Sequence, residues 1–235
     1  FALSGARQGN LFALSPDGTR LVYLGNPDGQ NRLYLRRLDQ FEATPMPGTE
    51  NAIQPFFAPD GNSVGFFAGG KLKRVSLAGG APATLADAPD PQGGSWGADD
   101  TIVFGPDPRG LMKISAAGGA AERLTKLSSN GVRHSWPLIL PGGQAAVFTD
   151  AVSSSTAAID LVSLTTGAVT RVVDSGCCAA YARSGHLVYA HPGSGAIFAA
   201  PFDPDRPEVV GKPVQMLEGV MSGAIYGCQL GISET

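Results

Sequence analysis

One short stretch of the chain has the spacing of a nucleophilic serine motif. The residues GGSWG, from Gly93 to Gly97, match the pattern G-x-S-x-G, in which a strained strand-to-helix turn exposes the serine hydroxyl. That chemistry requires a helix directly after the serine. Here Ser95 and Trp96 lead into GADDTIVF, a turn followed by a strand-forming run. We therefore predict that Ser95 is a structural residue of a strand and that the chain has no catalytic serine.

The histidines and carboxylates do not form a recognisable ligand set either. His134, His186 and His191 lack the short spacings that place two imidazoles on one metal ion. The acidic loops at 26–31, 87–92 and 203–208 lack the alternating ligands and closing glutamate of a calcium loop, so we expect solvated turns. The sequence predicts no metal and no cofactor. A carboxylate pair assembled from distant segments, as in glycosidases, is left open.

The strands and turns that carry these residues recur along the chain as repeats. The segments SPDGTRLVY, APDGNSVGF, GADDTIVF, LPGGQAAVF and ARSGHLVY each join a tight turn to a run that closes on an aromatic residue. Successive aromatic residues are 43, 38, 44 and 41 residues apart. This period is typical of a four-stranded propeller blade.

Each repeat contains the same order of strands. A short strand comes before the turn, a strand of β-branched and aromatic residues follows it, and a third, alternating strand comes next, such as RLYLR or IDLVSL. Glycine-rich loops such as LAGGAP then permit a hairpin to a fourth strand. The 32 glycines and 18 prolines are spread along the whole chain and favour strands over helices. We predict no helix longer than two turns between residues 50 and 220.

The repeats predict an all-β chain, a β-propeller with five recognisable four-stranded blades plus the first strand of a sixth. We expect one domain over 1–235, with blades at about 10–50, 51–90, 91–130, 131–175 and 176–220 and an incomplete sixth unit at 221–235. Blades need stacked neighbours to complete their core, so the ends of the chain should lie near one another in a ring.

The last residues raise the question of how the ring closes. LGIS, at 230–233, aligns with the inner strand FALS at 12–15, and its backbone groups need partners. We predict that residues 1–5 fill the gap beside this sixth-unit strand, or that a neighbouring molecule pairs with it. We also expect the sequence to be a segment of a longer protein.

The repeats relate two of the three cysteines. Cys177 and Cys228 occupy the same position relative to the turn in consecutive units, whereas Cys178 is the additional one. A disulfide between Cys177 and Cys228 across the last blade boundary is a possibility in an oxidising compartment if their Cα atoms lie within about 7 Å. Of the two states, the sequence favours free buried thiols.

Side chains at the beginning of inner strands are the candidates for ligand or partner binding. Arg133 and His134 open the inner strand of the fourth repeat in RHSW, and Gln54 lies in that of the second. In a propeller such side chains can face the central channel. The apolar residues of these strands form a packing slot between blades instead, at Leu14, Phe57, Trp96, Ile139 and Tyr181.

Composition and charge exclude some partners. The net charge is −3 and the 17 lysines and arginines form no cluster, so the basic stripe required for nucleic acid is missing. The sequence has no apolar run near eighteen residues, so this segment should not insert into a membrane. A protein or small-molecule ligand, and self-association through the incomplete sixth blade, are the partners that we expect.

The repeat segments LSPDGTRLVYLG, PFFAPDGNSVGFF, GKLKRVSLAGGAPATLADAP, GSWGADDTIVFGP and SGHLVYA resemble the TolB-like, WD-related propeller repeats of bacteria. More narrowly, the succession with LYLRRLDQFEATPMPGTE and PVQMLEGV is similar to the sensor-side propellers of bacterial receptor-type serine/threonine kinases. The resemblance implies a six-bladed propeller outside the cytoplasm, used for sensing or protein interaction. It supplies no active-site residues, and the chain has no kinase motif.

These observations predict a non-enzymatic binding or scaffold domain, the extracytoplasmic part of a larger bacterial signalling protein that is tethered by a membrane span outside this segment. Two alternatives come from other classes. One is the propeller of an enzyme, with lyase or hydrolase chemistry in its channel or with a gating role beside a serine peptidase. The other is a structural subunit that assembles through its open blade.

Overall fold

A computed structural model describes residues 9–27, 29–107, 110–127, 133–206, 208–220, 222–224 and 227–233. Within these residues the secondary structure consists of strands and turns, without helices. The all-β prediction is confirmed. No helix that could span a membrane occurs in the described part of the chain. Residues 1–5, predicted to fill the gap beside the sixth unit, lie outside the described residues.

The strands form five antiparallel sheets in chain order, which are the five predicted blades. The strands of blades one to three are β1 (Phe12–Leu14), β2 (Arg20–Gly25), β3 (Arg32–Arg37), β4 (Ala43–Pro45), β5 (Ile53–Phe57), β6 (Ser63–Ala68), β7 (Lys71–Ser76), β8 (Ala83–Asp87), β9 (Gly94–Trp96), β10 (Thr101–Asp107), β11 (Gly110–Ser115) and β12 (Glu122–Arg123).

The remaining strands build blades four and five and a small sixth unit. They are β13 (Arg133–Ile139), β14 (Ala145–Ala151), β15 (Ala157–Ser163), β16 (Val169–Val173), β17 (Cys177–Ala182), β18 (His186–Ala190), β19 (Ile197–Asp203), β20 (Glu208–Val209), β21 (Val214–Leu217), β22 (Ser222–Gly223) and β23 (Gly227–Cys228). Blade five has a divided outer edge, because β20 and β21 pair with opposite ends of β19.

The turn between the first two strands has the same construction in every blade. The amide of its last residue donates to the carbonyl three residues earlier, as Gly18 does to Ser15 at 2.9 Å and Gly61 to Ala58 at 2.9 Å. In blade three Asp100 takes the glycine position and adopts the same left-handed backbone, with φ of 63°. Because every turn needs a residue with positive φ at this position, the turn residues recur at the same place in each repeat of the sequence.

An aspartate in several of these turns accepts a hydrogen bond from the amide two residues later. In blade one the Thr19 amide donates to Asp17 at 3.0 Å and the Thr19 hydroxyl donates to the same carboxylate at 2.8 Å. Hydrogen bonds from Ser15 and Thr19 lower the pKa of Asp17 to about 2. The turn is therefore held by an ionised carboxylate at any physiological pH.

The hydrophobic core lies between neighbouring blades. The aromatic residues that close the second strands, Tyr23, Phe66, Phe104, Phe148 and Tyr189, are all buried. The predicted packing slot is observed only in part. Phe57 packs with residues of blade one, Ile139 with residues of blade three and Tyr181 with residues of blade four. Leu14, Phe57, Trp96 and Ile139 also line a central cavity, because their side chains lie at the inner edge of the blades. Each blade thus covers the apolar face of the preceding one.

The sixth unit is present, but its strand does not lie where the sequence placed it. Ser222–Gly223 pairs with Gly227–Cys228, and residues 230–233 form no strand. A strand requires a backbone ladder with a neighbour, and the amide of the Gln229 side chain supplies the contact to blade one instead. Its Oε1 accepts from Leu11 N at 3.0 Å and its Nε2 donates to Gly9 O at 3.0 Å. The two ends of the described chain therefore meet, as predicted.

Candidate functional site

The inner strands of blades two to five share one backbone irregularity where they begin. Gln54, Gly93, Trp136 and Cys178 occupy one repeat position, and all four have φ between 52° and 88°. Strand pairing shifts register around Gln54, Trp136 and Cys178, which marks β-bulges. A bulge re-aims the side chains that follow it. This shared feature decides which inner-strand residues face the ring axis.

Trp136 lies on the ring axis, at the end of the ring where the inner strands begin. Its ring lies against Gly9, Gly93 and Gly227, which come from three different units. A Cβ atom added to Gly93 or Gly9 would lie 2.7 Å from the indole, so the absence of side chains creates the space for the ring. The indole N–H donates to Ala224 O at 3.0 Å. Trp136 thereby joins blade four to the sixth unit.

A central cavity of about 300 Å³ lies beside Trp136, lined by inner-strand residues of all six units. Its lining is aromatic, aliphatic and neutral polar, with the thiols of Cys178 and Cys228 on one side. Among the described residues it contains no carboxylate, imidazole, ammonium or guanidinium group. The side chains that give it this character include Asn10, Phe12, Gln54, Phe56, Phe57, Ser95 and Trp96.

Gln54 lines the cavity but uses both ends of its amide to connect two blades. Its Oε1 accepts from Gly93 N at 2.8 Å and its Nε2 donates to Pro91 O at 3.1 Å. The side chain is 5% exposed. The structure thus gives Gln54 a positioning role, and its predicted role in ligand binding stays a prediction.

Ser95, from the GGSWG motif, also lines the cavity and lies on β9. Its hydroxyl accepts from Ile139 N at 3.0 Å, which links blades three and four. A turn and β10 follow, so the strand-to-helix turn of a nucleophile is absent. The predicted position of Ser95 in an inner strand is confirmed.

Arg133 lies in a second depression, of about 370 Å³, at the end of the ring where inner strands begin. Gln54, Asp90 and Gln92 line it as well. The structure therefore brings together two of the three predicted contact residues, Arg133 and Gln54. Ligand binding by Arg133 stays a prediction.

His134 is placed away from the cavity, contrary to the expectation for an inner-strand side chain. It precedes the bulge at Trp136, is 4% exposed and packs on Phe148, with ring centroids 4.7 Å apart. Thr125 Oγ1 accepts from Leu111 N and lies 2.7 Å from His134 Nδ1, so its own proton is available to the imidazole. Burial lowers the pKa of His134 to about 4, and the imidazole is neutral at pH 7.

A carboxylate pair does occur in blade four, on the side away from the axis. Asp150 and Asp160 both contact Arg171, whose guanidinium lies 3.2 Å from Asp150 Oδ2. Burial, aided by the nearby Asp160, raises the pKa of Asp150, and Arg171 opposes the shift. Neither carboxylate lines the central cavity. This pair acts as an ion-pair network within the sheet.

Three cysteines meet where blade five adjoins the sixth unit. The sulfur atoms of Cys177, Cys178 and Cys228 all lie within 4.8 Å of one another. None of the three is disulfide-bonded in this structure. Hydrogen bonds from Cys178 and Cys228 lower the pKa of Cys177, whereas burial raises the pKa of Cys178. The predicted proximity of Cys177 and Cys228 is observed; the disulfide itself stays a prediction.

Sequence reasoning missed two parts of this site. Cys178 was not assigned to the cluster, because consecutive residues of a regular strand point to opposite faces and only the bulge at Cys178 brings its thiol beside Cys177. Trp136 was not recognised as the axial residue, because nothing in its type reveals a left-handed backbone. The glycines at 9, 93 and 227, each with positive φ, were the available sign of a bulky side chain at the centre.

Comparison with known proteins defines the fold. No family model and no curated protein matches the sequence. A solved structure assigned as TolB from Agrobacterium tumefaciens superposes with a TM-score of 0.70 at 17% identity, covering 94% of this chain and 84% of that one. TolB from Acinetobacter baumannii superposes at 0.68 with 16% identity, covering 97% of this chain. This chain spans 58% of the Acinetobacter protein.

A more distant structure is an oligogalacturonate lyase in complex with manganese, with a TM-score of 0.51 and 13% identity, covering 90% of this chain and 78% of that one. At these identities the similarity concerns the fold. The chain is a β-propeller. Its fold is similar to that of the propellers in these TolB structures.

Proposed function

We propose that the chain is a non-enzymatic binding domain whose central cavity accepts an uncharged part of a protein or small-molecule ligand. The neutral, aromatic lining of that cavity is the observation that carries the proposal. Ligand sites are typically apolar concavities of about 300 to 1,000 Å³ with a few oriented polar groups. Asn10 and Ser95 offer such groups beside Phe57 and Trp96.

The placement of His134 and of the Asp150–Asp160 carboxylate pair supports binding over catalysis. Acid–base chemistry requires a group of suitable pKa within hydrogen-bond reach of the substrate. His134 is buried against Phe148, and Asp150 and Asp160 are held by Arg171 outside the cavity. The manganese named for the lyase belongs to that protein, whose similarity to this chain is one of fold.

The resemblance of the repeats to sensor-side propellers supports a finer proposal. The domain would be the extracytoplasmic sensing part of a larger bacterial signalling protein. Protease added to intact spheroplasts that express the full-length protein should cleave this domain, whereas protection until lysis would contradict the location. Sedimentation velocity of the purified chain tests self-association through the sixth unit, which a monomer at all concentrations would exclude.

Substitution inside the cavity tests the binding proposal directly. A displayed library of random peptides is selected against the immobilised protein, and binding of the enriched peptide is measured by tryptophan fluorescence. The only two tryptophans, Trp96 and Trp136, both line the cavity. Occupancy should therefore change the emission.

A matched pair of variants assigns the signal. Ala13→Tyr places a ring in the cavity, whereas Ala83→Tyr adds the same ring to an exposed position of β8. We expect Ala13→Tyr to weaken peptide binding at least tenfold and Ala83→Tyr to leave it unchanged. Equal binding by both variants would show that the ligand contacts another surface and would overturn the proposal.

A further inference from the structure

We infer that Cys177, Cys178 and Cys228 form a binding site for a single thiophilic d¹⁰ cation, Zn²⁺ or Cu⁺, at the junction of blade five and the sixth unit. The three sulfur atoms lie within 4.8 Å of one another. This inference does not depend on the proposed ligand of the central cavity.

The distances suit coordination by one ion. With metal–sulfur bonds of about 2.3 Å, two sulfurs on a tetrahedral ion are about 3.8 Å apart. The observed separations require only small side-chain rotations to reach that value. A disulfide, by contrast, joins two sulfurs at about 2.05 Å and leaves the third cysteine unexplained. A shared cation accounts for all three.

The backbone of β17 explains how two consecutive cysteines reach the same point. Consecutive residues of a regular strand point to opposite faces. Cys178, however, has φ of 55°, and the pairing of β17 shifts register between Cys177 and Ala180. Thr149 Oγ1 accepts from the Cys178 amide at 2.9 Å and holds this bulge. The bulge turns both thiols toward Cys228 on β23.

The surroundings select a soft cation. The shell around the thiols is apolar and contains Ala151, Ala190, Ile197 and Ala224. In the described part of the chain no imidazole or carboxylate joins the cluster, so the ligand atoms are sulfur alone. Thiolates favour Zn²⁺ and Cu⁺ over hard cations such as Mg²⁺ and Ca²⁺.

The site also has an entry path and an open position. Cys178 and Cys228 line the central cavity, whereas Cys177 is fully buried. An ion can therefore arrive through the cavity. With three protein ligands, Cu⁺ would be three-coordinate, whereas Zn²⁺ would take a fourth ligand from the cavity side.

Metal titration of the reduced, metal-free protein under anaerobic conditions tests this site. Zn²⁺ and Cu⁺ are added separately against chromophoric competitors, and Co²⁺ serves as the spectroscopic probe. We expect one equivalent to bind, with sulfur-to-cobalt charge-transfer absorption, and we expect the bound ion to protect Cys178, the partly exposed thiol of the three, from N-ethylmaleimide. The stronger of the two competition curves identifies the preferred cation.

Two variants on β17 assign the ligands. Cys178→Ala should weaken binding by more than about 100-fold, since even residues behind metal ligands typically change affinity about 10- to 100-fold. Ala179→Ser, the adjacent residue that also lines the cavity, should bind normally. Circular dichroism establishes that both variants are folded, and the thiol-protection assay on the unmodified protein gives the same answer without any variant.

Three results would overturn the inference. One is substoichiometric binding of both ions by the reduced protein. Another is equal affinity of Cys178→Ala and the unmodified chain. The third is a purified protein lighter by two hydrogens that binds no ion after reduction, which would establish the disulfide in place of the metal.

Discussion

Two glutamines perform the same task at two seams of the ring, at different depths. Gln54 connects blades two and three through Pro91 O and Gly93 N, and Gln229 connects the sixth unit to blade one through Gly9 O and Leu11 N. In both, a side-chain amide accepts from a backbone amide and donates to a carbonyl two residues earlier. Gln54 is almost completely buried, whereas Gln229 is partly exposed.

The two glutamines make the same hydrogen bonds but differ in how deeply their side chains are buried. A buried amide that loses its partner is left without water, whereas an exposed one is rehydrated. The same substitution should therefore be more costly at the inner seam than at the closing seam. Substitutions at these seams can change how deeply a hydrogen bond is buried, how much room a side chain has, and whether a histidine is protonated.

The largest effect is expected where Gln54, Gly93 and Trp136 meet. Gly93→Ala adds a Cβ atom 2.7 Å from the indole at a residue with φ of 88°. We expect the free energy of unfolding to fall by about 4 kcal/mol from overpacking and strain together. Gly185→Ala, with φ of 78° and open space around the added atom, should lose only about 1 kcal/mol. Urea denaturation measures the free energy of unfolding of both variants. Equal losses would show that the Trp136 ring moves aside to accommodate the added methyl group.

Gln54→Ala should be the next most destabilising change. It leaves Gly93 N and Pro91 O without their partner at a largely buried site, while the backbone strain at φ of 52° is common to glutamine and alanine. We expect a loss of about 3 kcal/mol. Gln54→Gly removes the same hydrogen bonds but also relieves the backbone strain, because glycine adopts a positive φ freely. Its free energy of unfolding should therefore fall by only about 1 kcal/mol. A loss below 1 kcal/mol in Gln54→Ala would show that water replaces the amide.

A third seam responds to pH. His134 contacts Thr125 of blade three, and burial holds its pKa at about 4 against an ordinary 6.5. Below pH 6.5 the unfolded chain binds a proton that the folded chain does not, so stability falls as the pH falls toward 4. We expect a loss of about 2 kcal/mol between pH 7 and pH 5.

His134→Gln provides the control for that slope. It keeps a hydrogen-bonding side chain toward Thr125 and leaves Asp150, whose pKa is raised, in place. Denaturation curves at pH 7 and pH 5 should therefore differ less in this variant than in the unmodified protein. Identical slopes would mean that another group produces the pH dependence.

The smallest effect is expected at the closing seam. Gln229→Ala removes two hydrogen bonds, to Gly9 O and Leu11 N. Both partners belong to buried residues, but the Gln229 side chain is half-buried, so water can enter the space that its amide leaves. We expect a loss of about 1 kcal/mol in urea denaturation. A loss equal to that of Gln54→Ala would contradict the difference in depth on which the comparison rests.

The sequence allowed the blades to be predicted because turn residues recur where the backbone needs them. Gly18, Gly61 and Gly185 mark equivalent turns, and the strands follow from them. The bulges could not be predicted in the same way, because Gln54, Trp136 and Cys178 adopt positive φ without being glycine. Strand alternation alone therefore placed His134 at the channel and gave no sign that Cys178 turns toward Cys177.

The closing strand was misplaced for a related reason. Similarity of 230–233 to 12–15 predicts a strand only if a neighbouring backbone is available to pair with it. In the structure the Gln229 side chain, not a strand, makes the hydrogen bonds to the backbone of blade one. A side chain that replaces a strand leaves no periodic signal in the sequence.

The Gln229 contact also orders events in time. Its partners are 218 and 220 residues away along the chain, whereas strands within a blade are joined by short turns. Closing so long a loop is entropically unfavourable until the intervening blades have already shortened it. The blades should therefore form before the ring shuts, and native fluctuations should begin at the same place. The Leu11 amide, protected by one side chain, is then the natural reporter of an opening that leaves every blade folded.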